Sequence, residues 1–161
     1  MPESVRAVCP GSFDPITRGH LDIIERAHSV FHEVVVAVGR NTTKNYLFDI
    51  DERLDLVRRA VGHLDGVTVE IIDGLLSDFC KEHQASVIVK GVRFGTDLDY
   101  ELQMGQLNRF LSGIETVLLP AGREYGTISS SMLREVAANH GDISPFVTAE
   151  ANAAVRAKLG Y

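Results

Sequence analysis

Five short apolar runs, rich in β-branched residues and separated by stretches of helical period, constrain this chain more than any other feature. They lie at residues 5–9, 33–38, 68–72, 86–89 and 115–119. Strands that are apolar on both faces belong to a parallel sheet covered by helices, because an exposed sheet face would show polar residues at every second position. Between the runs, Leu21, Ile24, Ala27 and Phe31 recur at intervals of three and four, as do Leu54, Val57, Val61 and Leu64. That spacing places each set on one stripe of a helix. The second helix has a start signal in Asp49-Ile50-Asp51-Glu52, where the aspartate caps the first turn and the glutamate reaches back to it. Further helices are expected at residues 76–83, 100–111, 131–139 and 149–159, with Gly141-Asp142 breaking the chain between the last two. The order β-α-β-α with right-handed crossovers predicts an α/β fold, one doubly wound Rossmann-like domain over residues 1–161 with a five-stranded parallel sheet and helices on both faces. The helices from about residue 145 are expected to pack on that domain. Ligands of such sheets bind beyond the carboxyl ends of the strands, where the strand order reverses.

A chain of 161 residues with 45% hydrophobic and 24% charged residues can bury a core without disulfides or a structural metal. No apolar run is long enough to cross a bilayer, and Met1-Pro2-Glu3-Ser4-Val5-Arg6 lacks the basic start and apolar core of a secretory signal. A cytoplasmic, reducing setting without a membrane partner is expected. Cys9 and Cys80 form no C-x-x-C pair, sit in apolar segments and are expected to be buried thiols. A net charge of −6 argues against a nucleic-acid surface, which needs clustered cations to displace counterions. An anionic substrate must therefore be held by a local concentration of positive groups.

The stretch directly after the first strand, Pro10-Gly11-Ser12-Phe13-Asp14-Pro15-Ile16-Thr17-Arg18-Gly19-His20, leads into the first helix. Gly11 and Gly19 let the backbone turn and approach a ligand, and the free amides and positive dipole end of the helix suit a phosphate. An imidazole at His20 can donate a hydrogen bond to a phosphate oxygen whose charge grows as phosphorus becomes five-coordinate. A lone histidine at a helix start is ordinarily only a cap, so the reading depends on its company. No G-x-G-x-x-G follows the first strand and no G-x-x-x-x-G-K-[ST] occurs, which removes the main support for dinucleotide oxidoreductases and P-loop phosphotransferases.

Thr17-Arg18-Gly19-His20 matches a [TH]-x-G-H motif. With Lys90-Gly91-Val92-Arg93, residues 97–104 (DLDYELQM) and Ile128-Ser129-Ser130-Ser131, the chain resembles the phosphopantetheine adenylyltransferases of the nucleotidyltransferase superfamily over nearly its full length. The short motif is shared by many nucleotidyltransferases; the later blocks in this order are far more specific.

The resemblance implies an enzyme that transfers the adenylyl group of ATP to 4'-phosphopantetheine in a homohexamer; Mg²⁺ is expected to arrive on ATP, and whether a carboxylate of the chain also ligates it is left open by the sequence. By resemblance His20 stabilises the transition state, Ser12 and His20 contact the reacting phosphates, and the main-chain amide of Phe13 adds a contact. Ser12 departs from the more common Thr but keeps the hydroxyl. Lys44, in a polar loop after the second strand, matches a position that binds the acceptor phosphate; otherwise a loop lysine is a solvated charge. Lys90 matches a pantetheine contact, and Gly91, Val92 and Arg93 match ATP contacts placed after the fourth strand. Glu101 matches an ATP contact, whereas Asp97 and Asp99 are read as acids favouring a helix start. Tyr125, where Trp is common in some relatives, Gly126, Thr127, Ile128, Ser129, Ser130 and Ser131 match an ATP-binding segment at a second helix start, where serines also serve as caps. Leu76 matches an acceptor-lining position but is equally suited to the core. Two other readings share these loops: a different phosphorylated acceptor, such as a nicotinate mononucleotide or a phosphorylated alcohol, or a non-catalytic module that binds ATP.

Overall fold

The computed structural model describes residues 4–93 and 95–161, so residues 1–3 of the opening segment lie outside the described residues. Its strands are β1 (Arg6–Gly11), β2 (Glu33–Gly39), β3 (Val67–Ile72), β4 (Val87–Val92) and β5 (Glu115–Pro120). They form one five-stranded sheet in the order β3-β2-β1-β4-β5, with every pair parallel. The helices are α1 (Arg18–Phe31), α2 (Ile50–Val61), α3 (Leu76–Glu82), α4 (Thr96–Ser112), α5 (Ser130–Ala138) and α6 (Ala149–Leu159), with a 3₁₀ turn at Ser144–Phe146. The expected Rossmann-like α/β domain is the one observed.

Both faces of the sheet are covered because alternate residues of the central strands feed two separate cores. Ala7, Cys9, Val34, Val36, Val38, Val87 and Val89 join α1, α2, α5 and α6 through Ile24, Ala27, Leu54, Val57, Leu133, Ala137, Ala151 and Val155. Val8, Val35, Ala37 and Ile88 face the other way, onto Phe79 and Cys80 of α3 and onto Ile114. Each fully buried valine or isoleucine contributes about 1.5–3 kcal/mol relative to an exposed one, which makes these alternating runs the main source of sheet stability. The capping box expected at the start of α2 is present: Asp49 accepts from the Glu52 N–H at 2.8 Å and Glu52 accepts from the Asp49 N–H at 2.9 Å. At the same carboxylate, Lys158 of α6 donates to both oxygens of Glu52 at 2.9 Å.

Two boundaries differ from the sequence reading in ways that shape the site. Lys90 and Gly91 are part of β4, not of a loop after it, since pairing with β5 runs on through Lys90↔Leu118, Gly91↔Leu119 and Val92↔Pro120. Pairing of β1 with β4 is confined to Ala7↔Val87 and Val8↔Ile88, while β1 stays paired to β2 as far as Gly11↔Val38. The two central strands thus part beyond Val8, and the polar end of β4 borders the gap. Helix α4 starts at Thr96 rather than near residue 100, after Gly95 turns the chain at φ 72°. Asp97 and Asp99 fall in its first turn, where acids complement the helix dipole. Among the described residues no helix is long and apolar enough to cross a membrane.

Candidate active site

The gap between β1 and β4 opens into a cavity of about 570 Å³, within the usual range for small-molecule sites. It lies where the strand order reverses, as the fold dictates. A more open groove of about 540 Å³ runs between Arg18 and α6, but its walls lack a comparable convergence of strand ends, helix starts and charged groups.

His20 is set by the start of α1. Thr17 caps the helix: its hydroxyl accepts from the His20 N–H at 3.2 Å, and the Thr17 N–H donates to His20 Nδ1 at 3.0 Å. The capping role and the chemical role are therefore the same geometry. A ring that accepts at Nδ1 carries its proton on Nε2 when neutral. Burial, followed by the charges of Lys90 and Arg93, pushes the His20 pKa down to about 4, so the neutral ring prevails at pH 7. Phe13 meets the ring edge-on at 5.0 Å and is itself buried with φ 52°, a left-handed conformation that costs a bulky residue about 1–3 kcal/mol. Gly11 permits that fold-back, because a Cβ there would lie 2.9 Å from the Phe13 ring.

Two buried charges lock the loop that carries Ser12 to the loop that carries Lys44. Asp14, 2% exposed, accepts from the Leu47 N–H at 2.8 Å and the Phe48 N–H at 2.9 Å. Arg53, 1% exposed, donates from Nη1 to the carbonyls of Ser12 at 2.7 Å and Gly39 at 2.9 Å, and from Nε to that of Phe48 at 3.3 Å. Sequence reasoning missed both residues. A signal for Arg53 existed: it sits four residues before Val57, on the apolar stripe of α2, where a charge must find buried partners.

The opposite wall comes from β4, α4 and the start of α5. Lys90 pairs with Glu101 at 3.2 Å, and Arg93 pairs with Asp97 at 2.8 Å while donating to the Ile128 carbonyl at 3.1 Å. Asp97 thus holds a cavity cation besides beginning a helix. Ser129 caps α5 by accepting from the Met132 N–H at 3.2 Å, and the Ser130 hydroxyl donates to the Pro15 carbonyl at 2.9 Å. Arg134, also missed in the sequence, donates to the Asp14 carbonyl at 2.7 Å and stands on the same wall. Gly91 lets α1 approach β4, since a Cβ there would come 2.7 Å from Ile23.

A chain of net charge −6 thus gathers Lys44, Lys90, Arg93 and Arg134 around one cavity. Such a cluster beside a neutral imidazole donor and two helix starts is suited to holding and polarising phosphates. Cys9 is on the wall too, but burial pushes its thiol up to about 12 despite the lowering influence of Lys90, leaving it protonated and non-nucleophilic. Cys80 is likewise free and buried, its thiol pushed up to about 11 by burial.

Residues 8–136 match the cytidylyltransferase-like family. The phosphopantetheine adenylyltransferase of Cutibacterium acnes is 54% identical over 98% of this chain and 100% of its own length. That of Streptomyces coelicolor is 54% identical over 88% of this chain and 89% of its own. The chain belongs to the phosphopantetheine adenylyltransferase family. The Thermobifida fusca member is 50% identical over 95% of this chain and 93% of its own. The crystal structure of the lipopolysaccharide core biosynthesis protein from Thermoplasma volcanium shares the fold, with a TM-score of 0.55 at 24% identity, covering 73% of this chain and 96% of its own.

The positions singled out by the phosphopantetheine adenylyltransferase motifs fall into two groups. Ser12, Phe13, His20, Lys44, Lys90, Gly91, Arg93, Glu101, Tyr125, Ile128, Ser129, Ser130 and Ser131 all border the cavity. Val92, Gly126, Thr127 and Leu76 stand off the described wall. Leu76 packs instead against the core beneath α3, beside Phe79 and Cys80, as its alternative reading allowed.

Proposed function

We infer that this chain is an adenylyltransferase that joins the AMP moiety of ATP to 4'-phosphopantetheine, giving dephospho-coenzyme A and pyrophosphate. The observation that carries the reading is the orientation of His20, whose Nδ1 is occupied by the Thr17 N–H so that Nε2–H is the free donor in a cavity rimmed by cations. The acceptor phosphate attacks the α-phosphorus; a phosphorus–oxygen bond to the acceptor forms as the bond to pyrophosphate breaks. The attacking phosphate is already deprotonated, so no general base and no covalent enzyme intermediate are needed. Catalysis consists of aligning two polyanions and stabilising charge on the non-bridging oxygens.

Each residue has a role in that arrangement. His20 donates from Nε2 to the α-phosphate, Ser12 and the Phe13 amide contact the reacting phosphates, and Lys44 and Lys90 hold the acceptor. Arg93, Gly91, Glu101 and the segment from Tyr125 to Ser131 hold ATP, with Val92 as a flanking contact. Both carboxylates on the α4 side of the cavity, Asp97 and Glu101, are engaged by Arg93 and Lys90. No group of three or more His, Cys, Asp or Glu among the described residues is placed to hold a metal. Mg²⁺ is brought by the substrate as its ATP complex.

The working assembly is a homohexamer in the cytoplasm. Support for assembly comes from α4, whose Leu98, Tyr100, Leu102, Leu107 and Phe110 are exposed, Phe110 at 86%. A run of exposed apolar residues on one helix marks an interaction surface.

Pyrophosphate release with ATP, Mg²⁺ and 4'-phosphopantetheine, run beside nicotinate mononucleotide and other phosphorylated acceptors, tests the reading. Release that depends on 4'-phosphopantetheine supports it. Release only with another acceptor moves the substrate, and ATP binding without release under any condition contradicts an enzyme.

A further inference from the structure

Asp14 is a carboxylate on the wall of a cavity rimmed by cations. A negative charge there opposes the binding of phosphates, so its use in the site is not electrostatic. Both of its oxygens are taken by main-chain amides: Oδ2 accepts from the Leu47 N–H at 2.8 Å and Oδ1 from the Phe48 N–H at 2.9 Å. Such bonds to an ionised acceptor are about twice as strong as neutral ones. They fasten one end of the loop that carries Lys44, which stands three residues before Leu47. Residues 40–45 are exposed, and the bonds around Lys44 are internal to the loop: its N–H donates to the Asn41 carbonyl at 3.3 Å, and the Thr43 N–H donates to the Asn41 side chain at 3.0 Å. The place of Lys44 in the molecule is therefore set at the ends of its loop. At the first end the Gly39 carbonyl accepts from Arg53 at 2.9 Å; at the second, the Arg53 bond to the Phe48 carbonyl is longer, 3.3 Å, and the two bonds to Asp14 are the shorter anchor.

The turn that bears Asp14 has anchors of its own, apart from that carboxylate. Arg53 donates to the Ser12 carbonyl at 2.7 Å, Arg134 to the Asp14 carbonyl at 2.7 Å, and the Ser130 hydroxyl to the Pro15 carbonyl at 2.9 Å. Loss of the two carboxylate bonds thus releases the Lys44 loop, while the turn that presents Ser12 and Phe13 stays in place.

We propose that Asp14 is a positioning residue that acts through Lys44: its carboxylate fastens the acceptor-side loop to the turn that contacts the α-phosphate, so that the attacking phosphate is presented at a set place relative to the phosphorus. The proposal rests on the adenylyl-transfer reading for the roles of Lys44 and of the turn. In-line transfer is sensitive to such placement, since a displacement of about 1 Å costs about 10²-fold in rate.

Asp14→Asn tests this, because an amide of the same shape accepts from one N–H and turns its own NH₂ against the other. Electrostatics alone predicts the opposite sign: removing a negative charge that lies 3.7 Å from Arg134 tightens the binding of both anionic substrates. Calorimetry gives Kd for 4'-phosphopantetheine, unphosphorylated pantetheine and ATP, each alone, in the unsubstituted protein, Asp14→Asn, Lys44→Ala and the double variant. The expected result in Asp14→Asn is a rise of about tenfold in Kd for 4'-phosphopantetheine, the size of one bond to a charged group, with pantetheine within about twofold and ATP unchanged or tighter. The double variant binds 4'-phosphopantetheine within about twofold of Lys44→Ala, as a residue that acts through another requires. A Kd for 4'-phosphopantetheine that is unchanged or lower in Asp14→Asn overturns the proposal, as does an equal loss for pantetheine or an undiminished further loss in the Lys44→Ala background. One glycine inserted between Lys44 and Asn45 slackens the loop and leaves the buried carboxylate alone, which decides the question if Asp14→Asn does not fold. The same selective loss for 4'-phosphopantetheine is expected there, and an unchanged Kd overturns the proposal. Failure of the unsubstituted protein to bind 4'-phosphopantetheine removes the acceptor reading and the proposal together, whereas binding without turnover removes the reaction alone and the binding cycle still decides Asp14.

Discussion

The backbone N–H of Thr17 donates to His20 Nδ1 at 3.0 Å, and this contact decides which ring nitrogen faces the cavity. It leaves Nε2 protonated while the ring is neutral, and burial with Lys90 and Arg93 nearby keeps it neutral by holding its pKa at about 4.

The ring ¹⁵N signals of His20 in the unliganded protein are accordingly expected to show the Nε2–H tautomer and to stay constant from pH 8 to pH 5. An unfolded histidine takes up a proton near 6.5 that the folded ring refuses until about 4. The unfolded state then binds more protons, so this residue's contribution to stability is intact above 6.5 and is lost as pH falls toward 4. His20→Asn is expected to flatten that part of the stability profile. A titration midpoint for His20 near 6.5 contradicts the account.

Arg53 ties three separate backbone segments behind the phosphate-facing loop. Arg53→Met keeps much of the side-chain volume but leaves the carbonyls of Ser12, Gly39 and Phe48 without this donor. A loss of about 2–3 kcal/mol is expected in urea denaturation, because buried carbonyls then lack partners. A loss below about 0.5 kcal/mol, the level of an ordinary surface substitution, contradicts the role assigned to Arg53.

Asp97 competes with anionic ligands for Arg93, to which it is bound at 2.8 Å in a partly exposed pair. Asp97→Asn leaves the bond from Arg93 to the Ile128 carbonyl but removes the opposing charge. Exposed pairs contribute up to about 1 kcal/mol, so calorimetric binding of ATP is expected to tighten by about two- to fivefold. Weaker binding in this variant contradicts competition and makes Asp97 a contributor to the ATP site.

The sheet was readable because the central strands β1, β2 and β4 carry apolar residues toward both faces, the pattern of a parallel sheet covered on both sides. His20, Arg93 and the serines at the start of α5 could be singled out because their motifs are local and match a known family. Asp14, Arg53 and Arg134 were not, since their meaning depends on partners far along the chain: Asp14 meets Leu47 and Phe48, Arg53 meets Ser12, and Arg134 meets Asp14 from 120 residues away. The end of β4 was misplaced for a related reason. Lys90 and Gly91 look like loop residues because they border a cavity on one side, yet they remain in register with β5 on the other.

The most direct test of the central claim is a comparison of His20→Ala with the unsubstituted protein, measuring dephospho-coenzyme A formation together with ATP affinity by calorimetry. Removing one donor that acts chiefly in the transition state is expected to lower kcat by about 10²–10³-fold while the Kd for ATP changes by less than about threefold. A kcat within about threefold of the unsubstituted protein, or a loss of rate explained wholly by weaker ATP binding, contradicts the role assigned to the His20 Nε2–H.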